Sequence, residues 1–233
     1  MSNNMFTLEK IKYALELLKS DIPFAIWETF YVTVISTFFA FLIGLPLGVL
    51  LVCGDRDGVL PLPTWLMKLI NAIVNLWRSV PFIILIVVVF PLTRLIVGTT
   101  IGSVASIVPL VIAAFPFVAR LVEGSLREVD PNIIEAALSM GASPLQIITK
   151  VMIPESVPSL ISNAAIAITT ILGYTAMSGA IGGGGLGNIA IMIGYNRYNY
   201  PVIILTVILL IVMVQIFQSL GTYLSRKLDK RLR

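Results

Sequence analysis

The sequence predicts an all-α membrane protein with five transmembrane helices, and three observations support this fold class. Hydrophobic residues make up 58% of the 233 residues and charged residues only 12%, whereas soluble domains carry about 25% charged residues. The mean hydropathy is +0.98. Uncharged stretches of about 20 residues or more, which suffice to cross a bilayer as helices, recur along the chain. These features indicate one compact domain embedded in a lipid bilayer.

Composition also excludes several kinds of site. The chain has no histidine and one cysteine, Cys53, so an intrachain disulfide, a His/Cys metal cluster and a His-based catalytic triad are impossible. The net charge of +4 is compatible with nucleic-acid binding. The basic residues, however, flank apolar stretches, as they do at the cytoplasmic rim of membrane proteins. We therefore expect the lipid bilayer, and no nucleic acid, as a partner.

The N-terminal half is expected to hold three spans. Residues 1–25 form a mixed-charge segment with weak helical amphipathicity, which fits either a helix on the membrane surface or an ordinary leader. The first span runs from Thr29 to Gly54. The second begins near Leu66, with Arg78 either snorkelling to the interface or lying in a protein-lined interior. The third runs from Leu95 to Ala119.

The C-terminal half is expected to supply two more spans. The fourth covers about residues 158–181, a glycine-rich and then tyrosine-rich connection covers 182–200, and the fifth runs from Pro201 to about Leu220. If the basic tail 226–233 is cytoplasmic, inner segments hold most of the 16 lysines and arginines, as the positive-inside rule requires. This places residues 1–25 outside, residues 26–225 in a transmembrane domain, and the polar stretch 130–154 in the cytoplasm.

The stretch 130–154 carries the signals of two successive short helices. Asp130-Pro131 is typical of an N-cap followed by a proline in the first turn, and Ser143-Pro144 repeats that pair. Gly141 is placed to end the first helix. Apolar residues recur at i, i+4 and i+7 and predict one apolar face, formed by Ile133, Ala137 and Met140.

The same stretch resembles the EAA loop of ABC-importer permeases, which reads Glu-Ala-Ala, three residues, Gly, nine residues, and Ile-x-Leu-Pro. This chain has Glu135-Ala136-Ala137, Gly141 and Val151-Met152-Ile153-Pro154 at the same spacing, and its two departures, Val151 and Ile153, are apolar. The resemblance implies a coupling helix that docks on a cytoplasmic ATPase. The residues it implicates are Ile133, Glu135, Ala136, Ala137, Met140, Gly141 and Pro154. The alternative is an ordinary helical loop between spans.

The sequence supports neither of the two common nucleotide-binding motifs. Gly182–Gly187 contains a formal G-x-G-x-x-G, but no acidic residue occurs between Glu155 and Asp229, so a dinucleotide-binding fingerprint is excluded. The chain also lacks G-x-x-x-x-G-K-[ST], so ATP and Mg²⁺ would have to be bound by another subunit. We expect this chain to hold no cofactor and no catalytic residue.

Polar and soft residues of the spans concentrate in the fourth span. Spacing places Thr170, Tyr174, Met177 and Ser178 on one face, which either lines a translocation path or packs against other helices. Apart from Glu28, the spans hold no acidic residue and no histidine. This argues against a proton-coupled carrier and against a channel built on charged rings.

Three segments together resemble the permeases of methionine importers. They are Arg78–Ile83, the EAA loop and Gly173–Ala180 leading into the glycine run, and the resemblance covers about residues 26–225. It implies a type I importer in a bacterial cell membrane. Such an importer has two copies of this permease, two cytoplasmic ABC ATPase subunits, and an extracytoplasmic binding protein that delivers L- or D-methionine and derivatives.

The resemblance also implies a constriction near Met177, where a thioether is a flexible apolar plug. Two alternatives stay open at this point. One is an ABC permease for another amino acid or an osmolyte. The other is a membrane scaffold subunit that transports nothing.

Overall fold

Helices make up the regular secondary structure of residues 6–228, the part of the chain that the computed structural model describes. The all-α prediction is confirmed for these residues, while residues 1–5 and the end of the predicted tail, 229–233, lie outside them. Two π-helical segments, Ile148–Met152 and Ile189–Tyr195, precede α8 and follow α9. The α-helices are α1 (Leu8–Leu17), α2 (Ile22–Cys53), α3 (Thr64–Ser79), α4 (Phe82–Val97), α5 (Ser103–Arg127), α6 (Pro131–Ser139), α7 (Pro144–Ile147), α8 (Ile153–Gly179), α9 (Gly185–Asn188) and α10 (Tyr200–Leu228).

Four helices within residues 6–228 are long and apolar enough to cross a membrane, namely α2, α5, the continuous helix Pro144–Gly179, and α10. A fifth span arises if α3 and α4 are counted as one broken helix. The break has a local cause, because Pro81 has no N–H and disfavours a helical conformation at Val80, whose ψ is 124°. α3 begins at Thr64, close to the expected start near Leu66, but the expectation of one continuous helix was wrong at this break.

Several helices begin or end at other residues than hydropathy predicts. α5 begins at Ser103 rather than Leu95 and continues past Ala119 to Arg127, since the charged side chains of its last turns bind one another. The segment 182–200, expected as a connection, contains α9 and a π-helical segment. Hydropathy indicates which residues tolerate lipid, whereas caps and side-chain pairs decide where a helix ends.

Packing groups the described residues into two units. The glycine-loop unit comprises the described residues up to Thr37, together with Pro81–Val111 and Ile168–Phe217. The EAA-loop unit comprises Phe38–Val80, Ile112–Ala167 and the described residues from Gln218 onward. The helices α2, α5, α8 and α10 each contribute residues to both units.

Aliphatic side chains of α1, α2, α8, α9 and α10 form the core of the glycine-loop unit. Ala14 and Leu17 of α1 are buried in this core, while Leu8 and Leu15 on the same helix are exposed. The weak amphipathicity of residues 1–25 thus corresponds to a helix that packs by one side.

Glycines of α2 permit its close packing on α5 in the EAA-loop unit. A Cβ at Gly44 would lie 2.7 Å from Val118 Cγ1, and one at Gly48 would lie 2.6 Å from the backbone oxygen of Ala119. Such distances are too short for any side chain, so the spacing of two small residues one turn apart sets how closely these helices approach.

Candidate coupling loop and translocation site

The two helices of the EAA loop begin at the caps that the sequence predicts. Asp130 Oδ1 accepts a hydrogen bond of 2.9 Å from the backbone N–H of Asn132, and Pro131 occupies the first helical position of α6. At α7, the Ser143 hydroxyl accepts from the N–H of Gln146, whose side-chain oxygen accepts from the N–H of Ser143 at 2.9 Å. This reciprocal arrangement is a capping box and fixes the direction in which α7 leaves the turn.

A left-handed glycine ends α6, as expected. Gly141 has φ +77°, a conformation that is costly for residues with a Cβ. Its N–H donates to the oxygen of Leu138 at 2.9 Å, and the N–H of Ala142 donates to the oxygen of Ala137 at 3.1 Å. This pair of bonds is a Schellman motif, so α6 and α7 are two rigid pieces joined by one glycine turn.

The apolar face expected for α6 is only partly available to a partner. Met140 is 82% exposed and Ile133 is 41% exposed, but Ala137 is only 4% exposed. Ala137 therefore packs within the chain, whereas Ile133 and Met140 of the predicted apolar face are open to a partner. Ala136 and Glu135 are exposed. The exposed apolar strip of α6 thus consists of Ile133, Ala136 and Met140, at i, i+3 and i+7.

Pro154 lies inside a continuous helix rather than at its start. The N–H of Ile153 donates to the oxygen of Ile148, five residues back, and so closes a wide π-helical turn immediately before the proline. A widened turn accommodates a residue that has no N–H and whose ring crowds the preceding turn. The helix from Pro144 to Gly179 is therefore unbroken, and α7 continues directly into the fourth predicted span.

The glycine run forms a loop that is bound by a carboxylate. Glu28 Oε2 accepts from the backbone N–H of Gly185 at 2.9 Å, and Glu28 Oε1 accepts from the hydroxyl of Ser103 at 2.7 Å. The N–H of Leu186 donates to Thr29 Oγ1 at 2.9 Å. The N–H groups of Gly185 and Leu186 are therefore already paired within the chain, and the glycine run serves to pack this loop against α2.

Close approach explains why this loop needs glycine. Gly184 and Gly185 have φ of +74° and +71°. A Cβ at Gly185 would lie 2.6 Å from Thr29 Oγ1, and one at Gly184 would lie 3.1 Å from Glu28 Oε2. The sequence showed Glu28 as an isolated acid near a span, but nothing in the sequence indicated that its partners Ser103 and Gly185 lie 75 and 157 residues away.

The residues expected on one face of the fourth span lie in different surroundings. Met177 is 41% exposed, whereas Ser178 is 1% exposed and its hydroxyl donates to the oxygen of Thr175 at 2.8 Å. The half-buried Tyr174 stacks on Phe82, with ring centroids 4.6 Å apart. Thr170 is half-buried. The packing alternative thus fits Ser178, while Met177 is an exposed residue and Tyr174 has an aromatic partner that the sequence does not indicate.

Comparison with known proteins gives the family. Residues 44–233 match the protein family described as "Binding-protein-dependent transport system inner membrane component". The chain belongs to this family. It is therefore a multi-pass inner-membrane transport component of a bacterium, as the sequence predicted.

Individual relatives resemble this inner-membrane component over most of its length. One relative is the Vibrio cholerae protein named "Probable D-methionine transport system permease protein MetI", with 49% identity over 216 residues. The match covers 92% of this chain and 95% of the relative. The chain is also 50% identical over 154 residues, 66% of this chain and 70% of the relative, to "D-methionine transport system permease protein MetI" of Escherichia coli K12.

A solved structure has the same fold as this inner-membrane component. That structure shows an inward-facing conformation of the MetNI methionine ABC transporter, and its chain superimposes with a TM-score of 0.87 at 44% identity. The match covers 90% of this chain and 96% of that chain. The EAA loop and the glycine loop both lie inside the family match, which begins at residue 44, whereas Glu28 precedes it.

Proposed function

We propose that the chain is the membrane-spanning permease of an ATP-driven importer that passes methionine from an extracytoplasmic binding protein into the cytoplasm. The observation that carries the proposal is near-full-length similarity to a protein named as a probable D-methionine permease and to a chain of the MetNI methionine ABC transporter. The proposed cargo includes L- and D-methionine and their derivatives. ATP and Mg²⁺ bind to two separate ATPase subunits, because this chain has no P-loop.

The proposed assembly contains two copies of the chain, and each copy has five spans. The second span is the broken pair α3 and α4. The N-terminus is outside and the C-terminus is cytoplasmic, since this orientation leaves most lysines and arginines inside. The EAA loop then lies on the side where an ATPase is present.

Coupling is proposed to run through the exposed strip of α6. Ile133, Ala136 and Met140 fit into an apolar groove of an ATPase subunit, while the buried Ala137 holds α6 against its own chain. When ATP draws the two ATPase subunits together, each α6 moves with its partner. Because α7 is continuous with α8, this displacement reaches the fourth span and alternates the access of the pathway.

The proposed pathway is closed by the side chain of Met177. This residue is exposed, and its side chain is unbranched and adaptable, which suits a plug that must open and reseal. Tyr174 positions this part of α8 through its stack on the buried ring of Phe82. We expect Met177→Ala to raise ATP hydrolysis in the absence of cargo. Met192→Ala is the matched control, because Met192 is equally exposed in the same unit.

The direct test is uptake of radiolabelled L-methionine by cells that lack their own methionine importers. The cells carry this chain with its ATPase and its binding protein, and unlabelled amino acids compete for uptake. ATP-dependent uptake that only methionine and its derivatives block is the expected result. If another amino acid or an osmolyte blocked the uptake instead, the chain would still be an importer permease, but methionine would not be its cargo. An assembled complex without cargo-dependent ATP hydrolysis would favour a scaffold.

A charge placed on the α6 strip tests the coupling surface separately. We expect Met140→Glu to abolish uptake and to release the ATPase subunits from the purified complex, because a carboxylate is costly in an apolar groove. Leu60→Glu introduces the same charge at an exposed leucine in another loop and should leave both properties unchanged. Normal uptake by the Met140 variant would rule out the strip as the docking surface.

A further inference from the structure

A polar cluster joins the last two turns of α5 to α3 and to the loop after α2. Arg120 pairs with Glu123 at 2.5 Å, and Arg127 contacts both Glu123 at 3.0 Å and Asp55 at 3.2 Å. The Arg120 and Glu123 side chains are only 20% and 13% exposed. A charge pair this well buried is costly to leave half-paired, so the cluster holds the end of α5 in one position.

The guanidinium of Arg120 also binds α3 directly. Its Nη2 donates to the side-chain oxygens of Asn71 and Asn75, at 2.8 Å and 3.0 Å. These asparagines are four residues apart and therefore occupy the same face of α3. The planar guanidinium presents its donors in fixed directions, so Arg120 fixes the rotation of α3 as well as its distance from α5.

A second tie joins the same two helices at another level. Pro116 has no N–H to donate to the oxygen of Ile112, which therefore lacks its ordinary partner within α5. The indole N–H of Trp77 donates to this oxygen at 2.9 Å. Ile112 lies eight residues before Arg120, which corresponds to about 12 Å along α5. Two ties this far apart prevent α3 from pivoting on α5.

These ties lie close in sequence to the proposed coupling helix. The pairing residue Arg127 ends α5, and α6 begins at Pro131. We propose that the Arg120 and Trp77 ties make α3 and α5 a single rigid lever, which moves as one body when α6 is displaced. Asn71 and Asn75 act as positioning residues in this lever. The proposal rests on the proposed function, because displacement of α6 is taken to come from an ATPase.

The first test compares transport with ATP hydrolysis in the whole complex. Trp77→Phe removes the donor to Ile112 and keeps an aromatic ring, and Asn71→Leu with Asn75→Leu removes the acceptors of Arg120. We expect each variant to assemble and hydrolyse ATP, but to import at least about fivefold less cargo per ATP, in the range of typical coupling energies. A fall of transport and hydrolysis in parallel, or unchanged transport per ATP, would overturn the lever.

Matched variants separate the lever from a general packing defect. Trp65→Phe makes the same change on the same helix at an exposed tryptophan, whose indole has no hydrogen bond to any of residues 6–228. It should leave transport per ATP unchanged. Asn71→Asp keeps an oxygen acceptor for Arg120 and should preserve coupling. Every comparison is with the wild-type complex, so the two proposals can fail separately. Absent uptake in the wild type would contradict the proposed function, whereas normal transport per ATP in the variants would contradict the lever.

A distance measurement tests rigidity without any cargo. Spin labels replace Lys68 of α3 and Glu128 just beyond α5, both exposed, in a chain whose buried Cys53 is replaced by alanine. In the wild-type background the distance should stay the same between nucleotide-free and ATP-trapped complexes. In the Asn71→Leu, Asn75→Leu background it should shift or broaden. A shift of several ångströms on ATP binding in the wild-type background would contradict a rigid lever.

Discussion

The EAA loop and the glycine loop are both polar interruptions of an apolar chain, but they are held in place differently. The EAA loop is fixed by bonds between neighbours in sequence, such as the Ser143–Gln146 capping box and the turn at Gly141. The glycine loop is fixed by Glu28 and Thr29, which are 157 residues away from their partners. Because its bonds are local, the EAA loop can keep its shape while it moves. The glycine loop is bonded to a distant part of the chain and is therefore held in one position.

This difference suits the two proposed roles. A coupling helix has to move with an ATPase partner, so its caps must not depend on the rest of the chain. A loop that closes the packing around α2 and α5 has to stay still, and a carboxylate bonded to a backbone N–H is among the stronger hydrogen bonds available for that purpose. Substitutions in the glycine loop should therefore affect stability, and those in the EAA loop should affect coupling.

The largest loss of stability is expected from Gly185→Ala. The added Cβ would lie 2.6 Å from Thr29 Oγ1, and the backbone φ of +71° is itself unfavourable for alanine. Strain and overpacking together should lower the free energy of unfolding by about 3 kcal/mol. The melting temperature of the purified protein measures the loss. Gly173→Ala is the control and should not destabilise, because an added Cβ there would have no atom of residues 6–228 within 4 Å apart from its own helical backbone.

Substitutions of Glu28 should give the next largest loss of stability. Glu28→Ala removes the acceptor of the Ser103 hydroxyl and of the Gly185 N–H, and should cost about 2 kcal/mol, as expected for hydrogen bonds to a charged group. Glu28→Gln keeps one oxygen acceptor and should cost about half as much. Glu16→Ala, at an exposed glutamate in the same unit, should leave the melting temperature unchanged. Equal losses for the Ala and Gln variants would show that the side chain acts only by packing.

The same contrast explains how much of the molecule could be predicted from its sequence. The caps of α6 and α7 were predictable because Asp130-Pro131 and Ser143-Pro144 act on their own N–H groups. The pairing of Glu28 with Gly185 was not, since it depends on how distant helices pack. The burial of Ala137 was missed for a related reason, because periodicity identifies an apolar face but not what covers each position along it.

Substitutions of Gly141 test whether the shape of the turn between α6 and α7 controls coupling. Gly141→Ala places a Cβ at φ +77° and should destabilise the turn by about 1 kcal/mol, while Gly141→Asn should cost less because asparagine tolerates this region. We expect uptake to fall for alanine more than for asparagine, with little change in melting temperature. Gly124→Ala is the control, since Gly124 lies in α5 and an added Cβ would meet none of the described residues within 4 Å beyond its own helical backbone. A large fall in melting temperature for the alanine variant would remove the distinction between the two loops.

The smallest effect is expected from Ser143→Ala, which removes one half of the capping box of α7. The loss of an N-cap costs about 1 kcal/mol, and here it falls on the first turn of a helix that is continuous to Gly179. Amide hydrogen exchange should therefore accelerate at the N–H of Gln146 and nearby residues, while the rest of α8 stays protected. Ser143→Asp restores an acceptor and should restore protection. Ser139→Ala, at an exposed serine at the end of α6, should change nothing. If exchange accelerated throughout α8 as well, α7 would be part of one cooperative unit with the fourth span, and the cap would stabilise the pathway as well as the turn.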